Sequence, residues 1–228
     1  MRSNVAKVAE RTGASGAPAC ARVAQLAAAL LSVLPSRAQN QRMKAAAPRQ
    51  LSERLALVRM SEDFLRRGLR ATACSEVRID ETFVADEWLA EKWLIRQRLS
   101  QYRADSAYRE WGVWAIVLRT KGQMIGHIGF HTPPNAPYLR PYAENAVEFG
   151  FAIYRPFRRQ GFATEAASAL MHWAIQAHRI TRFVLSISPL NLASARVAEK
   201  LEFRRIGQWE DDQDGTEDVF LLEHTELR

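Results

Sequence analysis

The sequence predicts an α/β fold for residues 51–228, a sheet with helices packed against it, and three observations carry that prediction. Segments with the two-residue period of strands alternate with segments that have the 3.6-residue period of helices. A hairpin pattern occupies the middle of the chain, with Lys121-Gly122 as its turn. A strand at 147–153 passes through a glycine-containing turn directly into a helix.

The elements follow in order. ERLALVRM (53–60) has the alternation of a first strand, and SEDFLRRGLRA (61–71) that of a helix capped by Ser61. A long helix is expected from about Asp86 to Arg103. Its buried face would hold Trp88, Leu89, Trp93, Leu94 and Leu99, with Glu91, Lys92, Arg96 and Arg98 more exposed. WGVWAIVLRT (111–120) and QMIGHIGFH (123–131) form the hairpin, and the proline-rich stretch 132–146 is a loop long enough to suspect a functional edge. After the strand at 147–153 comes a helix from about Ala163 to Ala177, packed through Ala163, Ala166, Ala167, Leu170, Trp173, Ala174 and Ala177. RFVLSIS (182–188) is a strand ended by Pro189, and a short helix spans 192–201. Strands near 203–208 and 217–223, joined by a turn at Asp214-Gly215, complete the chain.

The net charge of +7 is unevenly placed. Residues 1–50 hold eight of the 32 lysines and arginines and one of the 25 acids, Glu10, so the body carries 24 of each and is neutral. A general nucleic-acid-binding role for the body is therefore disfavoured. Residues 1–50 read as a separate basic extension, disordered or loosely helical. VAQLAAALLSVL (23–34) gives it some likeness to a targeting peptide, a basic arm that touches RNA is another reading, and Met43 stands directly before domain-like sequence. Cys20 and Cys74 form neither a disulfide framework nor a metal-type spacing, which points to a reducing, cytoplasmic setting. No apolar run reaches the roughly 18 residues that a spanning helix needs.

The chemistry concentrates in VEFGFAI (147–153) and YRPFRRQGFATEA (154–166). Val147, Phe149, Phe151 and Ile153 make one face of the strand bulky. Glu148, Gly150 and Ala152 leave the other face small, with a single carboxylate, so that either a helix or a ligand can lie close against it. A basic turn, Gly161 and then a helix start aim unpaired amides at an anion. Ala163 keeps the first helical turn slim, Arg158 and Arg159 add charge at the rim, and Glu165 suits the positive end of the helix dipole. The Gly-Lys-Ser/Thr ending of a Walker loop is absent, and the three spaced glycines of a Rossmann turn are reduced to one.

Arg158-x-x-Gly161-x-Ala163 resembles the (Gln/Arg)-x-x-Gly-x-(Gly/Ala) signature of the GNAT superfamily of acyl-CoA-dependent N-acetyltransferases. RRQGFATEAASALMHWA, SISPLNLASARVAEKLEFRRIG and SERLALVRM are similar, in that superfamily's order, to segments of its ribosomal-protein alanine acetyltransferase (Rim-type) branch. The resemblance spans roughly residues 51–224. It implies a mixed, mostly antiparallel central sheet with helices on both faces and splayed strands at an acetyl-CoA site. It also implies that the backbone of Arg158, Arg159, Gln160, Gly161, Phe162, Ala163 and Thr164 holds the diphosphate. Phe151, Ala152 and Ile153 would pair with the pantetheine arm, and Asn191 would lie near the reactive end. Ser194, on the same helical face as Asn191, would stand near the departing thiolate. The chain departs from the pattern at Arg155, where proline is common, and at Arg159 and Glu202, where glycine is. No evident counterpart of the family's frequent tyrosine acid stands beside Ser194.

The implied reaction is direct acetyl transfer from acetyl-CoA, as cosubstrate, to a primary amine in a ternary complex without a metal, by a monomer or homodimer. The acceptor is a protein amino terminus or a small-molecule amine. Glu148 is the candidate base, through water, or else it pairs with an arginine or positions the amine. His127 and His131 lie on one strand face about 13 Å apart, too far to share a metal; ordinary packing or surface roles are the first expectation for them, and lining an acceptor pocket the second. The rival expectation is a non-catalytic acyl-CoA-binding module docked to a partner through residues 1–50. Such a module has no need of Glu148 or Ser194.

Overall fold

A computed structural model describes residues 49–71, 77–211 and 215–224. The expectations for residues 1–48 and for Cys74 lie outside the described residues. The strands are β1 (Arg49–Leu51), β2 (Leu55–Arg59), β3 (Arg78–Ile79), β4 (Thr82–Phe83), β5 (Val113–Leu118), β6 (Gln123–Phe130), β7 (Ala146–Ile153), β8 (Arg182–Ile187), β9 (Arg204–Asp211) and β10 (Gly215–Glu223). The helices are α1 (Glu62–Arg70), α2 (Asp86–Ala90), α3 (Lys92–Ala104), α4 (Phe162–His178) and α5 (Leu192–Lys200), with short 3-10 turns at 106–109, 137–139 and 155–157. The main path of the sheet runs β1-β2-β5-β6-β7-β8-β10-β9, with β4 joined to β6 and β3 to β4. It is mixed and mostly antiparallel, since along that path β7 and β8 alone run parallel.

Alternation along the strands divides the core between two faces. Leu55 and Leu57 join Trp114, Ile116, Val147, Phe149 and Phe151 against Ala166, Ala167 and Leu170 of α4. Ala56 and Val58, with Val113 and Ala115, face Leu65, Trp88, Ile95 and Leu99 from α1, α2 and α3. Helices therefore cover both faces of the sheet. Ser61 caps α1 as expected, its hydroxyl accepting from the Phe64 amide at 3.0 Å. Among the described residues no helix is long and apolar enough to cross a membrane.

Several expectations are corrected. The helix expected over 86–103 is two helices, broken at Glu91 (φ −80°, ψ 44°). Glu91 itself is buried, with Oε2 2.8 Å from His127 Nε2. The buried face of α3 is Leu94, Ile95, Arg98, Leu99 and Tyr102, and it continues the helical period from Glu91. Trp88, Leu89, Leu94 and Leu99 are buried as expected, but apolar character misplaces three positions: Glu91 and Arg98 are buried, whereas Trp93 is 53% exposed. In α4, Ala177 is exposed, while Ala169 and Met171 are buried. Trp88, Trp111 and Trp114 are core residues.

Candidate active site

The site begins where two strands part. β7 and β8 are paired only at Ala146–Arg182, Val147–Phe183 and Glu148–Val184. Beyond Glu148 the two diverge, while β7 stays bonded to β6 out to Ile153. The Glu148 carbonyl and the Tyr154 amide are both bonded toward β6. By alternation, the peptide groups of Phe151 and Ile153 face away from β6, toward the gap. The Ile153 carbonyl accepts from Arg158 Nε at 2.9 Å, which leaves Phe151 facing the gap between the strands.

At the mouth of the gap the chain turns tightly. Arg158 is extended, Arg159 has φ +60° and Gly161 has φ +81°, and α4 starts at Phe162. Gly161 is the N-cap residue and makes no side-chain cap hydrogen bond, so the first amides of a 17-residue helix lack a capping acceptor. Glu165, one turn in, does not fold back onto them. It accepts from the Arg54 amide (2.8 Å), Arg54 Nε (2.7 Å) and the Ser52 hydroxyl (2.8 Å). Partial burial pushes the Glu165 pKa up, but these hydrogen bonds and the Arg54 charge outweigh it and hold the group below its usual range. Arg54 also donates to the Gln160 carbonyl at 3.1 Å and stacks 4.4 Å above the Phe162 ring. It braces the turn from the first strand's side, a role that no local pattern announces.

A cleft of about 620 Å³ occupies the gap. Phe151, Ala152, Ile153, Arg158, Arg159, Gly161, Phe162, Ala163, Thr164, Asn191 and Ser194 all line it. Gln160 does not: its carbonyl is held by Arg54, and its side chain donates to the Pro156 carbonyl at 3.3 Å. Arg196 and Lys200, one turn apart on α5, also line the cleft and raise its cations to four with Arg158 and Arg159. The helical face through Asn191 and Ser194 continues through Val197 to Lys200, which it would have found; Arg196 lies on the adjoining row with Leu192 and is not reached from it. Asn191 caps α5, its Oδ1 accepting from the Ser194 amide at 3.0 Å.

Glu148 is outside the cleft lining, at the apex where β7 and β8 separate, and is fully buried. The Tyr138 hydroxyl donates to its Oε2 at 2.8 Å, and His131 Nδ1 lies 3.4 Å from the same oxygen. Tyr138 comes from the proline-rich loop, and only the tertiary fold brings it here. His127 is buried with Glu91, so the two histidines serve different carboxylates.

Residues 54–204 match a family model described as an acetyltransferase (GNAT) domain. The curated relatives include the uncharacterized N-acetyltransferase YjdG of Bacillus subtilis, 33% identical over 91 residues, which are 40% of this chain and 49% of that protein. YnaD of the same organism, another uncharacterized N-acetyltransferase, is 28% identical over 92 residues, with the same two shares. The chain spans about half the length of these relatives. A Vibrio fischeri ribosomal-protein-S5-alanine acetyltransferase has a similar structure, with TM-score 0.54 and 15% identity over 79% of this chain and 99% of that one. A putative GNAT-family acetyltransferase from Bordetella pertussis matches with TM-score 0.53 and 22% identity over 77% and 99%. The ribosomal L7/L12 α-N-protein acetyltransferase RimL, solved with coenzyme A, matches with TM-score 0.53 and 18% identity over 78% and 98%.

Proposed function

The chain belongs to the acetyltransferase (GNAT) family, and on that premise we propose that it is an acetyl-CoA-dependent N-acetyltransferase that acts on a primary amine by direct transfer. The observation that carries this reading is the open edge of β7 with an uncapped helix start at its mouth. The residues present suit the cosubstrate. The amides from Arg158 to Thr164, with Arg158, Arg159, Arg196 and Lys200 around them, receive a diphosphate. The peptide group of Phe151, turned toward the gap beyond the β7–β8 ladder, receives the amides of an extended arm as a neighbouring strand would.

Bound there, acetyl-CoA supplies an acetyl group activated as a thioester. Glu148, its Oε2 fixed by Tyr138 and neighboured by His131, takes a proton from the acceptor ammonium, through water, so that the amine can attack. A new C–N bond then replaces the C–S bond. Ser194, buried and lining the cleft beside Asn191, hands its hydroxyl proton to the departing sulfur and recovers the second proton that the nitrogen sheds as the amide forms. No covalent intermediate on the protein is required.

The test is calorimetry of the full chain with acetyl-CoA beside Gly161→Glu. That change puts a side chain on a backbone at φ +81° and a carboxylate at the anion site. The native chain should bind, and the variant should lose at least about a hundredfold in affinity. A folded native chain that does not bind would end this reading.

A further inference from the structure

Helix α3 carries a buried charge that no carboxylate among the described residues is paired with. Arg98 is fully buried, and its Nη1 donates to Gln101 Oε1 at 2.9 Å. Its Nε and Nη2 are also buried, without a hydrogen-bond partner among the described residues. The groups that act on its charge are the phenols of Tyr102, Tyr108 and Tyr138, with no carboxylate among them. Burial lowers its pKa, but a guanidinium starts so high that it stays protonated at neutral pH. A buried cation without a partner is strongly unfavourable and is expected where function requires it.

The two idle groups have a shared geometry. Nε–H and Nη2–H are the parallel pair on one edge of a guanidinium, the fork that grips both oxygens of a carboxylate. The surroundings tie this fork to the site described above. Tyr138, one of the three phenols that act on Arg98, is the residue that donates to Glu148. Tyr102 is committed elsewhere, its hydroxyl donating to the Met60 carbonyl at 3.1 Å. Tyr108 and Tyr138 are half-buried and stand on the short turns 106–109 and 137–139.

We propose that Arg98 receives a carboxylate of the acceptor, so that the preferred acceptor is an amino acid, a small molecule bearing both an amine and a free carboxylate. The inference rests on the acetyltransferase reading and adds the substrate class. A zwitterion suits this pair of groups: its ammonium meets Glu148 and His131, and its carboxylate meets the open edge of Arg98. Without Arg98, the carboxylate of such an acceptor would face Glu148 unopposed. A peptide amino terminus offers a neutral amide in place of that carboxylate and leaves the guanidinium charge unbalanced.

The experiment uses the full chain and acetyl-CoA, with free L-amino acids as acceptors beside their carboxamides, their decarboxylated amines and short peptides. For the best acceptor, the free acid should exceed its carboxamide by about ten- to a hundredfold in kcat/KM. Arg98→Met should remove that preference chiefly through KM, leave acetyl-CoA affinity unchanged, and melt no lower than the native chain, because it deletes an unpaired buried charge. A purely structural Arg98 would instead lower the melting temperature and leave the acid-to-amide ratio intact. Should Arg98→Met not fold, Arg98→Lys, which keeps the charge and loses the fork, should narrow the ratio. A preference for carboxamides, amines or peptides overturns the proposal. So does acetyl-CoA binding without turnover of any carboxylate-bearing amine, and that outcome leaves the cosubstrate site standing. Absence of acetyl-CoA binding removes the reading beneath both.

Discussion

The two sides of the β7 gap are built from different materials. On the α4–α5 side, recognition is made of backbone and exposed cations: an uncapped helix start, a free strand edge and four basic side chains around a cleft. On the α1–α3 side it is made of buried polar side chains drawn from distant segments. Glu148 meets Tyr138 and His131, Glu91 meets His127, and Arg98 stands among three tyrosines. A backbone site can be assembled from one short run of chain and depends little on which side chains that run carries. A side-chain site needs the whole fold to assemble it and can be altered one residue at a time.

The contrast can be broken most sharply at Glu148. Glu148→Gln should lower kcat about a hundredfold or more while acetyl-CoA affinity stays within about twofold. Comparable losses in both would mean that the carboxylate shapes the cosubstrate cleft, and the division would fail. Arg54→Ala probes the opposite side and should act in the opposite sense. Acetyl-CoA affinity should fall about three- to tenfold as the turn loosens, with kcat nearly unchanged and stability lower by about 1 kcal/mol, a modest figure for a half-exposed pair.

The same variant has a signature in pH. The folded Glu165 pKa is depressed, so its stabilisation is present above the unfolded value of about 4.3 and disappears as pH falls through the lower folded value. Denaturant titrations between pH 5 and about pH 3 should show a steeper loss for the native chain than for Arg54→Ala. Equal slopes would place the depression elsewhere.

The smallest effects concern conformation alone. Arg159 and Glu202 hold φ values of +60° and +62°. Glu202 follows α5 in a Schellman arrangement, with its amide on the Glu199 carbonyl and the Phe203 amide on that of Ala198, each at 3.0 Å. Glycine is the resident that such positions favour. Glu202→Gly should therefore raise stability by about 0.5–1 kcal/mol and leave both binding and turnover alone. Arg159→Gly should gain a similar amount while weakening acetyl-CoA slightly through the lost charge.

These positions also show what the sequence made legible. The departures at Arg159 and Glu202 stand where the resemblance expects glycine, and the backbone keeps the left-handed conformation without it. β2 and β5 to β10, with α1, α4, α5 and the phosphate-type turn, follow from local periodicity and capping, whereas β1, β3 and β4, two or three residues long, are too short to show a period. Arg54, Tyr138 and the burial of Arg98 could not be read so. Arg54 acts on partners more than a hundred residues away, Tyr138 reaches Glu148 only through the fold of the loop, and a charged residue on a helix is ordinarily assigned to solvent. The helical period through Glu91, Ile95, Arg98 and Tyr102 was present in the sequence, but residue type concealed it.

The pairing of β7 with β8 over only three residue pairs has a mechanical consequence. The sheet consists of two blades joined by a short stitch, and the seam beyond Glu148 has no rungs of its own. An extended ligand arm lying along Phe151 would supply rungs, fastening one blade to the other across α4 and α5. Occupancy is then expected to stiffen the molecule as a whole, so that amide protons on β8 and β10, which never touch the ligand, exchange more slowly once it is bound.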